Sequence, residues 1–372
     1  MRKIKVAILS PGLEPRDGWG RYTHSLCNIL NQFLEITLYL PRNISIQGKY
    51  PFPILPLLPP FTHSLKGEDS RLYLSPDFKV EADIIHSFIA FPYAILAKNL
   101  AQDRIPYLIT AHGSYGVKPL LSPPDSLYLR EAYRKAYRII VPSNFTGKFI
   151  QRYSRIPLKI ETIPNGVDYE RFSSRKEEIN SLRELYRGKK VILNVGELKP
   201  RKGQDILIKA FLRVKKKLRE AVLCLIGKDA WGGYLRSLVR RLGLEKSVYF
   251  LGELEEEEMI KYYQVADIFV HVPRRIKWKF EGFGIVYLEA GACGKPVVGS
   301  RSGGVPDAVL DGVTGILVPE NSPRATAKAI LKILNNPQLA YNLGEKGRKR
   351  AGELRWENYA RKLMEIYQKA GI

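Results

Sequence analysis

Two carboxylates flank a glycine-rich turn in the C-terminal half of the sequence. Glu281 and Glu289, separated by seven residues, lie in Phe280-Glu-Gly-Phe-Gly-Ile-Val-Tyr-Leu-Glu-Ala290. If a helix begins near Gly284, Glu289 projects from its second turn, and the backbone N–H groups at the helix start can bind a phosphate. One carboxylate would then hold sugar hydroxyls and the other a ribose. A hydrolase with paired carboxylates is the competing interpretation, because spacing alone does not fix the distance between the carboxyl groups.

A basic loop lies between a predicted strand and a predicted helix at residues 194–203. It combines two glycines with three cationic side chains: Gly196, Gly203, Lys199, Arg201 and Lys202. Such a loop can bind a diphosphate, and the alternative is a solvated basic turn. It is not a P-loop, because the sequence has no Gly-Lys-Ser or Gly-Lys-Thr.

Two further candidates lie in the N-terminal half. The turn from Ser10 to Gly20 contains Gly18 and Gly20 and opens a helix, but Thr23 stands where a dinucleotide fingerprint needs its third glycine. Phosphate contact and simple turn geometry therefore both remain open. His112 follows a predicted strand, at a position where a histidine is either structural or catalytic.

Apolar runs alternate with helical patterns along the chain, which predicts βαβ units around parallel sheets. The alternation restarts after a charged stretch at 173–190, so we expect two doubly wound domains, residues 1–172 and 186–352. A final helix within 353–372 is expected to cross back to the first domain. Ligands should bind at the carboxyl ends of the strands, in a cleft between the domains.

The composition narrows the class of protein. The chain has 372 residues, a net charge of +23, and only three cysteines, too few for a disulfide framework. No apolar run is long enough for a spanning helix, so we expect a cytoplasmic protein that contacts anionic partners. The positive net charge alone would suggest that the protein binds nucleic acid. Because the sequence has no RNA-binding or helix-turn-helix motif, we expect no nucleic-acid partner.

The segment around Glu281 resembles the Glu-x7-Glu motif of the retaining family 4 glycosyltransferases, which have the GT-B fold of two Rossmann-like domains. Four other segments resemble that family in the right order: Ile163-Pro-Asn-Gly-Val-Asp168, the loop 194–203, Ser302-Gly-Gly-Val-Pro-Asp307 and Asp311-Gly-Val-Thr-Gly315. The segment Glu-Gly-Phe-Gly-Ile-Val-Tyr-Leu-Glu-Ala is especially similar to the corresponding segment of mannosyltransferases that act on phosphatidylinositol-type lipids.

The resemblance implies a role for each matched residue. Glu289 would bind the ribose and Glu281 the transferred sugar, with Lys202 and Arg201 on the leaving diphosphate and His112 near the reacting sugar. The remaining donor contacts would come from Gly18, Gly20, Gly196, Gly282, Phe283, Gly284 and Ile285. The implied reaction moves a mannose-type or glucose-type hexose from a nucleoside-diphosphate sugar to a lipid-linked or glycan acceptor, with no metal and no cofactor.

Three positions depart from the family pattern. Glu197 stands where arginine is frequent, Asp307 stands where glutamate is usual, and Arg274–Lys279 forms an unusually basic insertion. The insertion either reaches an anionic substrate or is a solvated flap. An epimerase, a hydrolase or a non-catalytic sugar-nucleotide sensor on the same fold remain alternatives, whereas an NAD-dependent oxidoreductase lacks its fingerprint.

Two features suggest contact with an anionic membrane on the acceptor side. The uncharged segment Tyr50–Phe61 is broken by prolines and would either meet lipid or form a buried irregular loop. Arg130, Arg134 and Arg138 recur every four residues, as on one face of a helix. We therefore expect a peripheral location on the inner face of the cell membrane.

Overall fold

The computed structural model describes residues 2–14, 18–46, 48–66, 70–174 and 179–371. The centre of the predicted first loop, residues 15–17, and part of the predicted domain boundary, residues 175–178, lie outside this description. The chain divides into two compact units: unit 1 contains residues 1–165 and 356–372, and unit 2 contains residues 166–355.

Unit 1 is built on a seven-stranded parallel sheet of order β3-β2-β1-β4-β5-β6-β7. Its strands are β1 (Lys5–Leu9), β2 (Glu35–Pro41), β3 (Ile54–Leu58), β4 (Ile84–Ser87), β5 (Tyr107–Thr110), β6 (Arg138–Val141) and β7 (Ile160–Thr162). The first helices are α1 (Gly18–Leu30), α2 (Ser70–Leu74), α3 (Tyr93–Ala101), α4 (Asp125–Lys135) and α5 (Asn144–Ser154). Strands β4 and β5 are buried throughout, as expected for a parallel sheet covered on both faces.

Unit 2 repeats the plan with a six-stranded parallel sheet of order β10-β9-β8-β11-β12-β13. Its strands are β8 (Lys190–Val195), β9 (Ala221–Ile226), β10 (Val248–Gly252), β11 (Ile268–His271), β12 (Val297–Ser300) and β13 (Gly315–Val318). Its helices are α6 (Tyr169–Ser173), α7 (Asn180–Leu185), α8 (Gln204–Lys215), α9 (Tyr234–Arg241), α10 (Glu256–Val265), α11 (Ile285–Ala292), α12 (Val305–Ala308), α13 (Pro323–Leu334) and α14 (Pro337–Glu353). Both predicted doubly wound domains are thus confirmed.

The order of strands reverses once in each sheet, between β1 and β4 in unit 1 and between β8 and β11 in unit 2. At such a point the loops after the two neighbouring strands run to opposite faces of the sheet and leave a crevice between them. In unit 2 the basic loop 196–203 follows β8, and the segment containing Glu281 follows β11. The fold therefore brings these two segments to the same edge of one sheet.

The C-terminal helix α15 (Trp356–Ala370) packs on unit 1, although it follows unit 2 in sequence. The hydroxyls of Tyr22 on α1 and Tyr359 on α15 lie 2.7 Å apart. Nδ1 of the buried His86 lies 2.6 Å from the hydroxyl of Tyr367. Hydroxyl pairing inside an apolar contact fixes the position of this helix, and the predicted return to the first domain is confirmed.

The division between the units falls at residue 165, earlier than the sequence-based limit of 172. The N–H of Val167 donates to the carbonyl of Leu354 at 2.9 Å, and Phe172 is buried in the core of unit 2. The linking residues therefore belong to unit 2. The predicted C-terminal segment starts at residue 353, which is the last residue of α14, and the final helix itself begins at Trp356.

Two expectations for the acceptor side are corrected. Residues 54–58 of the proline-rich segment form the edge strand β3, which pairs with β2, so the segment is not an irregular loop. Proline is tolerated there because an edge strand has one unpaired side. Arg138 lies at the start of β6, beyond the end of α4, and does not continue a helical face of arginines. Among the described residues, every helix is too short or too polar to cross a lipid bilayer.

Candidate active site

A cluster of charged side chains surrounds Glu281 in unit 2. Its Oε2 atom accepts a hydrogen bond from Nη1 of Arg201 at 2.9 Å and another from Nζ of Lys202 at 2.8 Å. All three side chains are less than one-fifth exposed. Two cations thus share one carboxylate, and the cluster retains a net positive charge that favours an anionic ligand.

The two cations belong to a short 3-10 turn, Pro200–Lys202, between β8 and α8. The turn ends at Gly203, whose φ of +75° lies in the left-handed region, and a Cβ there would meet the carbonyl oxygen of Val272 at 2.0 Å. Only glycine meets both requirements. The N–H of Arg274 also donates to the carbonyl of Arg201 at 2.9 Å. The turn is therefore held against the segment that follows β11.

The pKa values follow from burial and charge. Burial raises the pKa of Glu281, but the adjacent Lys202 and Arg201 outweigh it and bring that pKa well below its ordinary value. Burial lowers the pKa of Lys202, and Arg201 acts in the same direction against the influence of Glu281. Glu281 is consequently ionised at neutral pH, and Lys202 is a desolvated cation beside a second positive charge.

Backbone contacts fix the position of Glu281. Its carbonyl accepts the N–H of Gly304 at 2.8 Å, and a Cβ on Gly303 would approach the same carbonyl to 2.4 Å. The predicted turn Ser302–Asp307 thus supports the site from the β12 side. Gly284, with φ of +94°, is the N-cap of α11. Of the other residues predicted to contact the donor, Gly282 and Phe283 directly precede this N-cap, and Ile285 is the first residue of the helix.

Glu289 lies on α11 and is 1% exposed. Its Oε2 atom accepts a hydrogen bond from the hydroxyl of Tyr263 on α10 at 2.8 Å. A buried carboxyl group needs hydrogen bonds that compensate its lost hydration. Tyr263 therefore fixes the orientation of Glu289, and the assignment of Glu289 to a ribose stays a prediction.

Sequence reasoning missed two residues of this site, His271 and Asn194. His271 ends β11 with its side chain fully buried, and its Nε2 atom lies 3.5 Å from Oε2 of Glu281. On the neighbouring strand β8, the Nδ2 atom of Asn194 lies 3.2 Å from the Nδ1 atom of His271. The sequence does contain a hint of both residues. Each is a polar residue near the carboxyl end of a largely apolar strand, and ligands bind at the carboxyl ends of parallel strands.

Several buried polar atoms near this sheet edge have no hydrogen-bond partner within the described part of the chain. They belong to residues after or at the ends of strands β8, β11 and β12, namely Asn194 Oδ1, Gln204 Oε1, Asp205 Oδ1, His271 Nε2 and Ser302 Oγ. Buried polar groups in native proteins are nearly always satisfied, so atoms of this kind commonly mark a place for a ligand or ordered water.

Two of the three positions that depart from the family pattern, Glu197 and the basic insertion, have a local explanation. Glu197 forms an ion pair with Lys199 in the same loop, which offsets its repulsion of a phosphate. Arg274 donates to Asp205 at 3.0 Å, and Ile276 and Lys279 exchange backbone hydrogen bonds. The basic insertion is therefore a fixed hairpin rather than a free flap. The described residues hold no group of three histidine, cysteine, aspartate or glutamate side chains suited to a metal ion.

The remaining candidates lie in unit 1 and are described within that unit. A Cβ on Gly20 would meet the carbonyl oxygen of Glu14 at 1.7 Å, so close backbone packing alone requires a glycine there. Gly18 is exposed, with open space around it. Burial lowers the pKa of His112 to about 4, and its ring lies edge-on to Tyr22 with centroids 4.5 Å apart. His112 is therefore a neutral imidazole at neutral pH.

Two family models match the chain, one in each half. The family described as "Glycosyl transferases group 1" matches residues 175–350, and "Glycosyltransferase Family 4" matches residues 16–171. A mannosyltransferase of Corynebacterium glutamicum, described as GDP-mannose-dependent and acting on a monoacylated phosphatidylinositol monomannoside, is 32% identical over 77% of this chain and 77% of its own. The chain belongs to the group 1 glycosyltransferases. It is an enzyme of that class, as the sequence predicted.

A second relative of this group 1 glycosyltransferase is the GDP-mannose-dependent alpha-(1-6)-phosphatidylinositol monomannoside mannosyltransferase of Mycolicibacterium smegmatis. It is 34% identical over 59% of this chain, and the matched part spans 60% of the relative's length. Among solved structures, Anabaena HepE in complex with UDP and glucose has a TM-score of 0.79 at 20% identity, over 98% of this chain and 100% of its own. That likeness confirms the GT-B fold of this glycosyltransferase.

Proposed function

We propose that this glycosyltransferase, which uses a nucleotide-sugar donor, transfers a mannose-type or glucose-type hexose to a hydroxyl of a lipid-linked or glycan acceptor, with retention of configuration. The observation that carries the proposal is the buried Lys202–Glu281–Arg201 cluster at the point where the strand order of the second sheet reverses. The names of the mannosyltransferase relatives favour GDP-mannose as the donor and a phosphatidylinositol mannoside as the acceptor.

The cluster suits departure of a nucleoside diphosphate. As the glycosidic bond to the phosphate breaks, negative charge develops on the leaving oxygen and positive charge on the sugar ring. Lys202 and Arg201 would stabilise the diphosphate, together with the N–H groups at the start of α11. A site already arranged for that charge needs little reorganisation during the reaction. These cations would do the work that a metal ion does elsewhere, so we propose a metal-independent transfer.

Glu281 would hold hydroxyls of the transferred sugar, and its hydrogen bonds to both cations support this assignment, since those cations would bind the diphosphate to which the sugar is attached. Glu289 would hold the ribose, oriented by Tyr263. We assign no side chain as the general base, because the departing phosphate can accept the proton of the acceptor hydroxyl. Within unit 1, His112 is available as a neutral hydrogen-bonding group.

The test is transfer from GDP-mannose and from UDP-glucose to phosphatidylinositol mannoside in vesicles, with the anomeric configuration of the product read by NMR. We expect transfer from one donor with an α-linked product. Lys202→Ala should lower kcat by about a hundredfold or more, as when a donor to developing charge is removed. The matched control is Lys209→Ala, at an exposed lysine of the following helix α8, which should retain transfer. An inverted product, or near-normal turnover of Lys202→Ala, would contradict the mechanism.

Peripheral binding to an anionic membrane is part of the proposal, and the net charge of +23 supports it. Co-sedimentation with vesicles should rise with the fraction of anionic lipid and fall with added salt. Binding that is indifferent to lipid charge would remove this part of the proposal without affecting the transfer reaction.

A further inference from the structure

His271 and Asn194 form a buried hydrogen-bonded pair behind Glu281, and nothing in the family resemblance assigns them a role. His271 is fully buried and Asn194 is 1% exposed. They lie on β11 and β8, the two neighbouring strands between which the strand order of the second sheet reverses. Leucine or valine would be the ordinary choice at such positions. Two facing polar residues in an apolar sheet therefore call for a chemical explanation.

The hydrogen bonds define the protonation state of the imidazole. The Nδ2 group of Asn194 donates to the carbonyl of Val270 at 2.7 Å, which fixes the orientation of the amide. The same Nδ2 group lies 3.2 Å from Nδ1 of His271, and an amide nitrogen can only donate. Nδ1 of His271 must therefore accept, which places the ring proton on Nε2. Burial keeps the ring neutral at pH 7, since it lowers the pKa to about 4.

The protonated Nε2 atom faces the carboxylate of Glu281. It lies 3.5 Å from Oε2, a separation longer than a good hydrogen bond, while Lys202 and Arg201 occupy the same oxygen at shorter range. The hydroxyl of Tyr287 donates to the carbonyl of His271 at 2.6 Å and ties the end of β11 to α11. Tyr287 thus holds the backbone of His271 and Asn194 holds its ring, within a small movement of a hydrogen bond to Glu281.

We propose that His271 is a positioning residue that donates its Nε2–H to Glu281 when the two cations turn to the diphosphate, and that Asn194 fixes the tautomer this requires. The inference rests on the proposed function of Glu281 in holding the transferred sugar. Without a hydrogen bond from His271, the sugar hydroxyls alone would compensate the buried negative charge of Glu281 once the two cations turn to the diphosphate. With it, the carboxylate keeps both its charge and its direction.

The tautomer is tested without any activity measurement. In protein labelled with ¹⁵N at its five histidines, the resonances of His271, assigned through the His271→Gln variant, should show a bare Nδ1 and a protonated Nε2. With saturating GDP present, the Nε2–H proton should move upfield in Glu281→Gln relative to the wild type, because a neutral amide is a weaker acceptor than a carboxylate. A proton on Nδ1, a charged ring, or an unmoved Nε2–H proton would overturn the inference.

Kinetics test the positioning role. His271→Leu should lower kcat by about tenfold to a hundredfold, the value of one hydrogen bond to a charged group, while the Kd for GDP measured by calorimetry stays near normal. His271→Gln should recover most of kcat, because its side-chain amide also presents an N–H donor. If His271 had only a structural role, His271→Leu would lose both GDP binding and thermal stability, and His271→Gln would not restore kcat.

A double-mutant cycle tests whether Asn194 acts through His271 or whether its replacement simply destabilises the protein. Asn194→Leu should lower kcat in the wild type but have little further effect in His271→Leu, because Asn194 acts through the imidazole. Additive losses would overturn that assignment. If the wild-type enzyme transfers no hexose at all, the proposed function fails, whereas the positioning inference is still decided by the Nε2–H resonance in the Glu281→Gln comparison.

Discussion

At the scale of single residues, Glu281 and a bound diphosphate should compete for the same two cations. Lys202 and Arg201 both donate to Glu281 in this structure. Glu281→Gln removes the negative charge but keeps the shape of the side chain. We therefore expect tighter binding of GDP, by several-fold, together with a fall in kcat of about a hundredfold because the sugar loses its carboxylate partner. Calorimetry gives the Kd, and steady-state rates give kcat.

The matched control is Glu345→Gln, which removes an equal charge from an exposed ion pair with Arg348. A surface pair of this kind is worth little, so both GDP binding and transfer should remain normal. Unchanged or weaker GDP binding in Glu281→Gln would show that the two cations do not exchange partners.

The main residues of the site could be predicted from sequence, and the pair behind them could not. Glu281, Lys202 and Arg201 belong to short motifs whose residue types already indicate a phosphate and a sugar. His271 ends β11 and Asn194 lies next to the end of β8, and their proximity depends on the pairing of β8 with β11. Strand pairing is a long-range property, and a single sequence without internal symmetry does not reveal it.

At the scale of elements, the turn that carries the two cations depends on Gly203. Gly203→Ala should combine the cost of a left-handed alanine, about 1–2 kcal/mol, with a collision against the carbonyl of Val272. The collision displaces the backbone of the Pro200–Lys202 turn. We therefore expect loss of GDP binding and a drop in the thermal midpoint of unit 2 larger than strain alone would cause.

Gly188 provides a close control for this substitution. Its φ of +71° is nearly that of Gly203, but a Cβ there would meet nothing within 4 Å. Gly188→Ala should therefore show the strain alone, with a modest fall in the melting temperature and normal GDP binding and transfer. Equal effects of the two substitutions would mean that backbone strain, and not the contact with Val272, governs the turn.

Elements with a strong periodic pattern were predicted closely, and the exceptions have physical causes. Strands β6, β9 and β13 and helix α15 belong to the alternating pattern that the sequence predicted. The edge strand β3 was not predicted, because Pro56 lies within it and prolines flank it, a composition typical of loops. Its pairing with β2 compensates through hydrogen bonds that the local sequence does not show.

At the scale of the whole molecule, buried histidines make folding sensitive to acid. Burial lowers the pKa of His86 to about 3 in unit 1, and lowers the pKa of His112 in unit 1 and His271 in unit 2 to about 4. In the unfolded chain each would have a pKa near 6.5. Between these values the unfolded state binds more protons than the folded state, so the free energy of unfolding falls as the pH falls.

The expected loss begins below pH 6.5 and amounts to about 1 kcal/mol per histidine for each pH unit, until the pH nears the folded-state values. Unit 1 holds two of the three groups, so its stability should fall about twice as steeply as that of unit 2. Hydrogen exchange, read separately on β4–β5 and β8–β11 and corrected for intrinsic rates, measures both slopes. His86→Gln should flatten the slope of unit 1 alone. Equal slopes in the two units, or stability unchanged between pH 7 and pH 5, would show that these imidazoles gain protons without unfolding.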